Sequence, residues 1–584
     1  MESPPLSNVA IAERFELLGD LLELEGAVVY RVLAYRRAAQ TLRETAESVA
    51  RLSAEGRLTS LPGVGQTIAD KVAELLSTGE IAALARLVDR NPPGAVAVMR
   101  LQGVGPKTAR RIFAELDLKT VDDVREAAAA GRIRALSGMG EKTEAAILAG
   151  LADGGDGTAP VPRRSIARAR TLGEKVLADL RACEGVVRCE LAGSVRRYRE
   201  TSKDVDVVAA VSDRIAAAGA FTAGEWVAEV VSRGDSRIAA SAHDGTVVEL
   251  RMVPEGCYGN LLQHLTGSKA HNVALREAAV RKKLSVSEYG IEHVESGEVW
   301  SSDDEAEVYE HLGLPWIPPE LREGRGELEA ARKGALPALV EVSDIRGDLH
   351  VHTDWSDGKA TLEKMVEAAR ARGYEYMNVT DHSPSVGFGM GLDAGRLHAQ
   401  IERVRELAAT LAPDFTLLVG AEVDILRDGS LDYSDELLAQ LDVVVASVHA
   451  SHRLSAADQT KRVCAALESP FVDVLGHPTG RLIGRREPNP LDIEAVVAKA
   501  VETGTALEVS SQPHRLDLSD VHVRLAVEAG AMLAIDTDAH SVTAIDYLPY
   551  GVMNARRGWT GPSSVVNTRP WPELRALLKA GKRA

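Results

Sequence analysis

The chain carries two kinds of hydrophobic period. Over residues 8–50 apolar side chains recur at helical spacing, as in IAERFELLGDLLELEG, and predict helices. A short pattern then repeats: Leu61-Pro62-Gly63-Val64-Gly65, Leu101-Gln102-Gly103-Val104-Gly105 and Leu136-Ser137-Gly138-Met139-Gly140. Each copy precedes a helix-forming stretch (TIADKVAELL, PKTARRIFAEL, EKTEAAILAGL), which makes an internal repeat. A Gly/Asp/Pro-rich stretch, Asp153–Pro162, reads as a linker. Residues 163–255 mix helical segments with β-branched runs such as VDVVAAV and TVVELRMV, and residues 256–317 form a smaller mixed unit. The charged run ELREGRGELEAARK marks a second linker. Beyond it, short apolar strands (YMNVT, TLLVG, DVVVASV, DVLGH, ALEVS, MLAID) alternate with helical segments, the pattern of βα units around a barrel or parallel sheet.

A length of 584 residues calls for several cores. The fold class expected is multidomain, α+β and α/β. Boundaries fall at 1–85 (helical), 86–160 (helical), 161–255 (α/β), 256–317 (mixed), 318–344 (linker) and 345–584 (βα barrel). Net charge is −17, which by itself argues against nucleic acid. The distribution reverses that reading, because residues 163–199 hold ten Arg/Lys against four Asp/Glu. The four cysteines form no CxxC pair, no secretory leader opens the chain, and no apolar run is long enough for a membrane span. A cytoplasmic monomer with reduced thiols is expected.

The paired glycines Gly63/Gly65, Gly103/Gly105 and Gly138/Gly140 stand just ahead of helices. There they permit close backbone approach, and the helix N-terminus offers unpaired N–H groups to an anion. With the flanking leucines the repeat resembles helix-hairpin-helix motifs, which hold DNA backbone without reading sequence. Further on, Asp204 and Asp206 at i and i+2 of a strand share one face, where two carboxylates repel unless a divalent cation lies between them. Upstream, Gly193-Ser194 and Arg196-Arg197 offer backbone, hydroxyl and guanidinium groups to a triphosphate.

Over residues 8–315 the chain resembles the DNA polymerase X family, the polymerase beta-like nucleotidyltransferases. The resemblance implies gap filling on gapped or nicked DNA by two-metal transfer from a dNTP, with Mg²⁺ or Mn²⁺ at Asp204 and Asp206. Glu249, in VVELR, stands where the family has its third metal carboxylate, an aspartate, and Arg251 follows it. Thr266-Gly267-Ser268 and Asn272 match the family's nucleotide pocket, whereas His264-Leu265 replaces its usual aromatic pair. Gly193, Ser194, Arg197, Arg251, Gly267, Ser268 and Asn272 are thus the implied nucleotide-binding set. Tyr35 and Lys71 fall where the family places a 5′-phosphate-binding tyrosine and a Schiff-base lysine, although Thr67 stands where some members have lysine.

The C-terminal third has its own chemistry. His350 and His352 share a strand face, and Asp357, His382, Glu422, His449, His477, Asp538 and His540 follow, most at the ends of apolar strands. In a βα barrel that end hosts the active site. Nine nitrogen and oxygen ligands without a thiolate suit two or three ions, Mn²⁺ and/or Zn²⁺. These residues resemble the PHP (polymerase and histidinol phosphatase) domain, which implies phosphoester hydrolysis by activated water. His452 and Arg481 are looser candidates for phosphate contact. Joined to a polymerase-like half, the barrel is expected to be a 3′→5′ exonuclease. Two alternatives stand beside this: a nuclease whose polymerase site is silent and serves mainly to bind DNA, and a small-molecule phosphatase with a DNA-binding module.

Overall fold

The computed structural model describes residues 6, 8–45, 48–61, 63–99, 104–136, 139–152, 163–386 and 389–579. They divide into two compact units: Met1–Arg164, Thr171–Glu190 and Lys203–Val253 make one, and Ser165–Arg170, Leu191–Ser202 and Pro254–Ala584 the other.

The first unit begins with short helices around one apolar core that includes Phe15, Leu42, Val72 and Ile112. Three of these helices, Gln66–Thr78, Pro106–Leu116 and Glu141–Ala152, start where the repeated turns place them. Gly65 and Gly105 sit at the N-cap positions, and the Thr143 amide bonds the Gly140 carbonyl at 3.0 Å. A five-stranded sheet follows, built from β1 (Val186–Leu191), β2 (Asp204–Val211), β3 (Val227–Arg233), β4 (Arg237–Ala242) and β5 (Val247–Val253). The strand order is β1-β2-β5-β4-β3, with β2 and β5 parallel and β3-β4-β5 antiparallel.

In the second unit, residues 256–317 supply helices and a three-stranded antiparallel sheet: β6 (Leu284–Ser287), β7 (Gly290–His293) and β8 (Val299–Trp300). A chain of desolvated polar groups organises this part. Arg322 has no exposed surface and pairs with Glu305 at 2.6 Å, and Arg196 meets the same carboxylate through two bonds of 2.8 and 3.0 Å. Burial raises the Glu305 pKa, but Arg322 and Arg196 outweigh it and hold the carboxyl well below its ordinary range.

The segment 318–344, expected to be a linker, is packed instead. It holds a helix, Glu327–Arg332, and Glu320, Arg322 and Glu327 within it are all buried. The C-terminal barrel grips it through arginines: Arg556 meets Glu320 at 2.9 Å, and Arg557 meets Glu323 at 2.9 Å. Glu320, Arg322 and Glu323, at the start of the charged run, pair inside the protein.

The barrel has seven parallel strands in sequential order: β9 (Gly347–Val351), β10 (Tyr376–Val379), β11 (Thr416–Asp424), β12 (Val443–Ser447), β13 (Val474–Leu475), β14 (Ala506–Ser510) and β15 (Leu533–Asp536). Six of them are buried at every position, and β11 at all but its first residue, which is why they read as continuous apolar runs. The ring closes just past β15, where the His352 amide bonds the Ala539 carbonyl at 2.9 Å and the Ala539 amide bonds the His350 carbonyl at 3.3 Å. Gly347 is required at the start of β9, since a Cβ would lie 2.3 Å from the Tyr376 ring of β10. Among the described residues no helix is long and apolar enough to cross a membrane.

Glu305→Ala strands the wholly buried Arg322 charge. It should destabilise the segment around Glu305–His311 by about 3–5 kcal/mol, read as lost hydrogen-exchange protection in that helix; unchanged protection would contradict the account. Glu323 is held at about 2, where burial raises its pKa but Arg557 and Arg197 lower it further. A carboxyl depressed on folding stabilises fully above its ordinary value. Protection in segment 318–344 should therefore fade as pH falls from about 4.5 toward 2.

Candidate functional site

The barrel strands end on one set of side chains. His350 and His352 leave the end of β9, Glu422 lies near the end of β11, His449 follows β12, His477 follows β13, and Asp538 and His540 follow β15. Asp357 comes from the turn after β9, and His382 forms a single bridge to Glu422. Glu422 is the hub. Its Oε2 lies 2.9 Å from His382, 3.4 Å from His350 and 3.5 Å from His352. Its Oε1 lies 2.9 Å from His477 and 3.2 Å from His449. Asp538 Oδ1 is 3.3 Å from His352, and Asp357 Oδ1 is 3.2 Å from His540 and 3.5 Å from His382.

Three overlapping groups have ligand atoms spaced to share an ion: His352/Asp357/His382/His540, His350/His352/Asp538 and His382/Glu422/His449. His477 stands beside them through Glu422. Several of these atoms are buried without a hydrogen-bond partner: His350 Nε2, both nitrogens of His352, and both oxygens of Glu422. An unpartnered buried polar atom costs about 1–3 kcal/mol. So many at one point fit divalent cations, which would take up those lone pairs. The His352 pKa falls to about 3, first through burial and then through His540 and His382, so this imidazole stays neutral and its lone pairs stay available.

Sequence reasoning missed the groups that orient these ligands. Glu508, on β14, accepts from His350 Nδ1 at 2.8 Å and also takes the His477 amide. Asp424, two residues beyond Glu422, meets His449 Nδ1 at 3.2 Å. Asp381 accepts from Thr353, Ser356 and Gln400 and so braces the turn bearing Asp357. The signal was a carboxylate inside an otherwise apolar strand, since a charge buried in β14 needs a partner. His452 meets Asn489 at 2.9 Å, and Arg481 pairs with Glu200 at 2.8 Å, so both are engaged within the protein.

In the first unit the strands bring three carboxylates together. Asp206 is in register with Glu249 across β2 and β5, and Asp204, Asp206 and Glu249 alternate with fully buried neighbours, which puts them on one face. Glu249 is also claimed by two guanidinium groups, Arg237 at 2.6 Å and Arg251 at 3.0 Å. Lys71 lies half-buried on the helix Gln66–Thr78. Tyr35 is 6% exposed and packs its ring near Phe15 in the helical core. A Cβ built on Gly65, Gly105 or Gly140 meets nothing within 4 Å, so these glycines face open space and packing does not demand them. Gly63 adopts φ +76°, and Gly103 and Gly138 lie outside the described residues.

The nucleotide-pocket candidates Gly193, Ser194, Arg197, Gly267, Ser268 and Asn272 fall in the second unit. Gly193 and Ser194 open the four-residue helix Gly193–Arg196, and Ser194 Oγ lies 2.6 Å from Ser202 Oγ. Ser268 caps the helix Lys269–Val280, and Asn272 is held by Gln263 at 2.9 Å and by the His264 carbonyl at 2.7 Å. The Arg197 guanidinium is buried, donating to the Thr266 carbonyl and pairing with Glu323 at 3.0 Å.

Helix-capping glycine turns ahead of a mixed sheet bearing three carboxylates, and a parallel barrel whose strand ends gather histidines and carboxylates spaced to share an ion, are the features of an enzyme that handles phosphoesters with divalent metals. Residues 7–81 match the family model of a helix-hairpin-helix domain, and 96–153 that of a SAM-like helix-hairpin-helix tandem. Residues 261–323 match the DNA polymerase beta thumb, and 348–510 the PHP domain. The chain is 36% identical to the DNA polymerase/3′-5′ exonuclease PolX of Bacillus subtilis (strain 168), over 97% of this chain and 99% of the relative. It is 25% identical to DNA polymerase lambda of Rattus norvegicus, over 54% of this chain and 56% of the relative. A probable phosphatase of Thermoanaerobacter sp. (strain X514) is 30% identical, over 33% of this chain and 78% of the relative. The chain belongs to the bacterial DNA polymerase X family, whose members join a polymerase beta-like half to a C-terminal PHP domain.

Glu508→Gln keeps the shape of the side chain but removes the charge that orients His350. Affinity for the barrel's cations should fall about 10–100-fold, measured by competition with a metallochromic chelator. An unaltered affinity would remove Glu508 from the site.

Proposed function

We propose that this protein is a cytoplasmic, monomeric DNA repair enzyme that fills gaps from dNTPs and trims 3′ ends. The observation that carries the hydrolytic half is the convergence of unpartnered, buried ligand atoms at the C-terminal end of the barrel strands. The register of Asp206 against Glu249 supports the transferase half. The end-to-end similarity to a relative named for both activities supports their pairing in one chain.

His350, His352, Asp357, His382, Glu422, His449, His477, Asp538 and His540 would hold two or three Mn²⁺ and/or Zn²⁺ ions, and Asp204, Asp206 and Glu249 would hold Mg²⁺ or Mn²⁺. Divalent cations, when bound, supply Lewis acidity that polarises phosphoester oxygens and lowers the pKa of the attacking oxygen. The protein's own task is orientation. Glu508 and Asp424 fix the imidazoles of His350 and His449. Gly63/Gly65, Gly103/Gly105 and Gly138/Gly140 would hold gapped or nicked DNA through helix N-termini. Gly193, Ser194, Arg197, Arg251, Gly267, Ser268 and Asn272 would bind the nucleotide. Lys71 would serve an abasic sugar as nucleophile.

A second reading is a nuclease whose transferase site is weak. It is favoured by the two guanidinium groups on Glu249 and by the internal pairing of Arg197.

A 5′-labelled gapped duplex with Mn²⁺, with and without dNTPs, separates these readings. Asp204→Ala should abolish extension and spare trimming, and His352→Ala should abolish trimming and spare extension. Trimming that survives His352→Ala would sink the hydrolase assignment. Parent protein that extends no better than Asp204→Ala would leave the nuclease reading. Release of phosphate from small phosphomonoesters with the DNA end intact would favour a phosphatase.

A further inference from the structure

The basic residues of the segment Leu191–Ser202 are committed to carboxylates of the second unit. Arg196 goes to Glu305, and Arg197 and Arg199 both go to Glu323, at 3.0 and 3.1 Å. Glu323 also receives Arg557, from the end of the barrel helix Leu548–Arg557, at 2.9 Å. Arg557 reaches on to Asp520 at 2.7 Å and donates to the Arg197 carbonyl at 2.7 Å, and Arg325 meets Asp520 at 3.0 Å.

Four guanidinium groups (Arg197, Arg199, Arg325, Arg557) therefore face two carboxylates (Glu323, Asp520), an excess of two positive charges. Glu323, Arg557 and Arg197 are each at least nine-tenths buried. Arg199 and Arg325 are partly exposed, so water screens their charges, and the buried competition is between Arg197 and Arg557 for Glu323. Glu323 can release Arg197 and still keep Arg199 and Arg557. Arg197 has no comparable second carboxylate; its other bond goes to the Thr266 carbonyl. A Cβ on the neighbouring Gly267 would come within 3.2 Å of its Nη1, so the glycine lies close against that guanidinium.

We propose that Glu323, itself held by Arg557 of the hydrolase barrel, is a positioning residue for nucleotide binding: it sets how readily Arg197 is given up to the triphosphate of a nucleoside triphosphate. The nucleotide rests on the polymerase reading above; the ion-pair geometry does not. The barrel thereby influences the transferase half through Arg557, away from its own metal ligands.

Two neighbouring substitutions should act with opposite sign. Glu323→Gln removes the competing charge, so the affinity for a Mn²⁺–dNTP complex should rise about tenfold, the scale of one buried charge-assisted hydrogen bond. Arg557→Met leaves Glu323 more dependent on Arg197, so affinity should fall by a similar factor. Affinity is read by isothermal titration of Mn²⁺–dATP on the full-length protein. The KM and kcat of primer extension are read beside it, with the shift expected in KM. Arg557→Lys, which keeps the charge but cannot serve both carboxylates and the carbonyl, should shift affinity the same way as Arg557→Met but less; it remains available if Arg557→Met does not fold. The rate of 3′-end trimming should be unchanged in all three. A purely structural network would weaken binding in both Glu323→Gln and Arg557→Met; shifts of the same sign, or none, overturn the proposal. If the parent binds too weakly to measure, Glu323→Gln must bring binding into range, and failure to do so overturns it as well. Opposite shifts in binding without any extension would retire the polymerase reading and leave the positioning role standing.

Discussion

A carboxylate with no exposed surface, Glu422, faces five imidazoles and accepts a hydrogen bond from none of them. Burial alone would push its proton affinity up, yet His449, His350 and His382 hold its pKa well below the ordinary range. Such a concentration of unpartnered polar atoms is tolerable only where cations complete it, and only where a rigid frame prevents the ligands from relaxing apart. The closed parallel barrel is that frame. Strand ends converge in space because the strands are in sequential order and the ring is shut by the His352–Ala539 and Ala539–His350 bonds. The rest of the C-terminal architecture, from the all-buried strands to the supporting carboxylates Glu508 and Asp424, follows from having to hold that site fixed.

The other desolvated charges do a different task. Arg322, Glu305, Glu323 and Arg557 join the thumb-like part, the connector and the barrel within one compact unit. Ion pairs of this kind are poor sources of net stability, because desolvation offsets most of the attraction. Their value is geometric: a buried guanidinium accepts few alternative partners, so the pairing fixes which elements meet. Here it joins the loop carrying Arg196 and Arg197 to a barrel of separate chemistry.

Much of this could be read in the residues. The three glycine turns announced their helices because a capping glycine and a following amphipathic run act locally. The convergence of the nine barrel side chains was partly legible, because all but Asp357 sit at or soon after the end of an apolar strand, and local pattern decides strand ends. The burial of Tyr35 against Phe15 was not legible, because it depends on how the helices of the core pack. The run at 318–344 read as a linker because composition alone does not reveal that Glu320, Glu323 and Arg322 have partners elsewhere in the chain.

What the sequence determined by itself was whatever depends on neighbours along the chain: helix starts, strand faces, the pairing of Asp204 with Asp206 on one side, and the set of residues able to bind metal. What the tertiary structure alone decided was which charges neutralise one another. Glu508 with His350, Arg237 with Glu249, and Arg557 with Glu323 bring together residues 158, 12 and 234 positions apart. Electrostatic pairing is set by distance and desolvation in space, and neither has a period that a sequence can display.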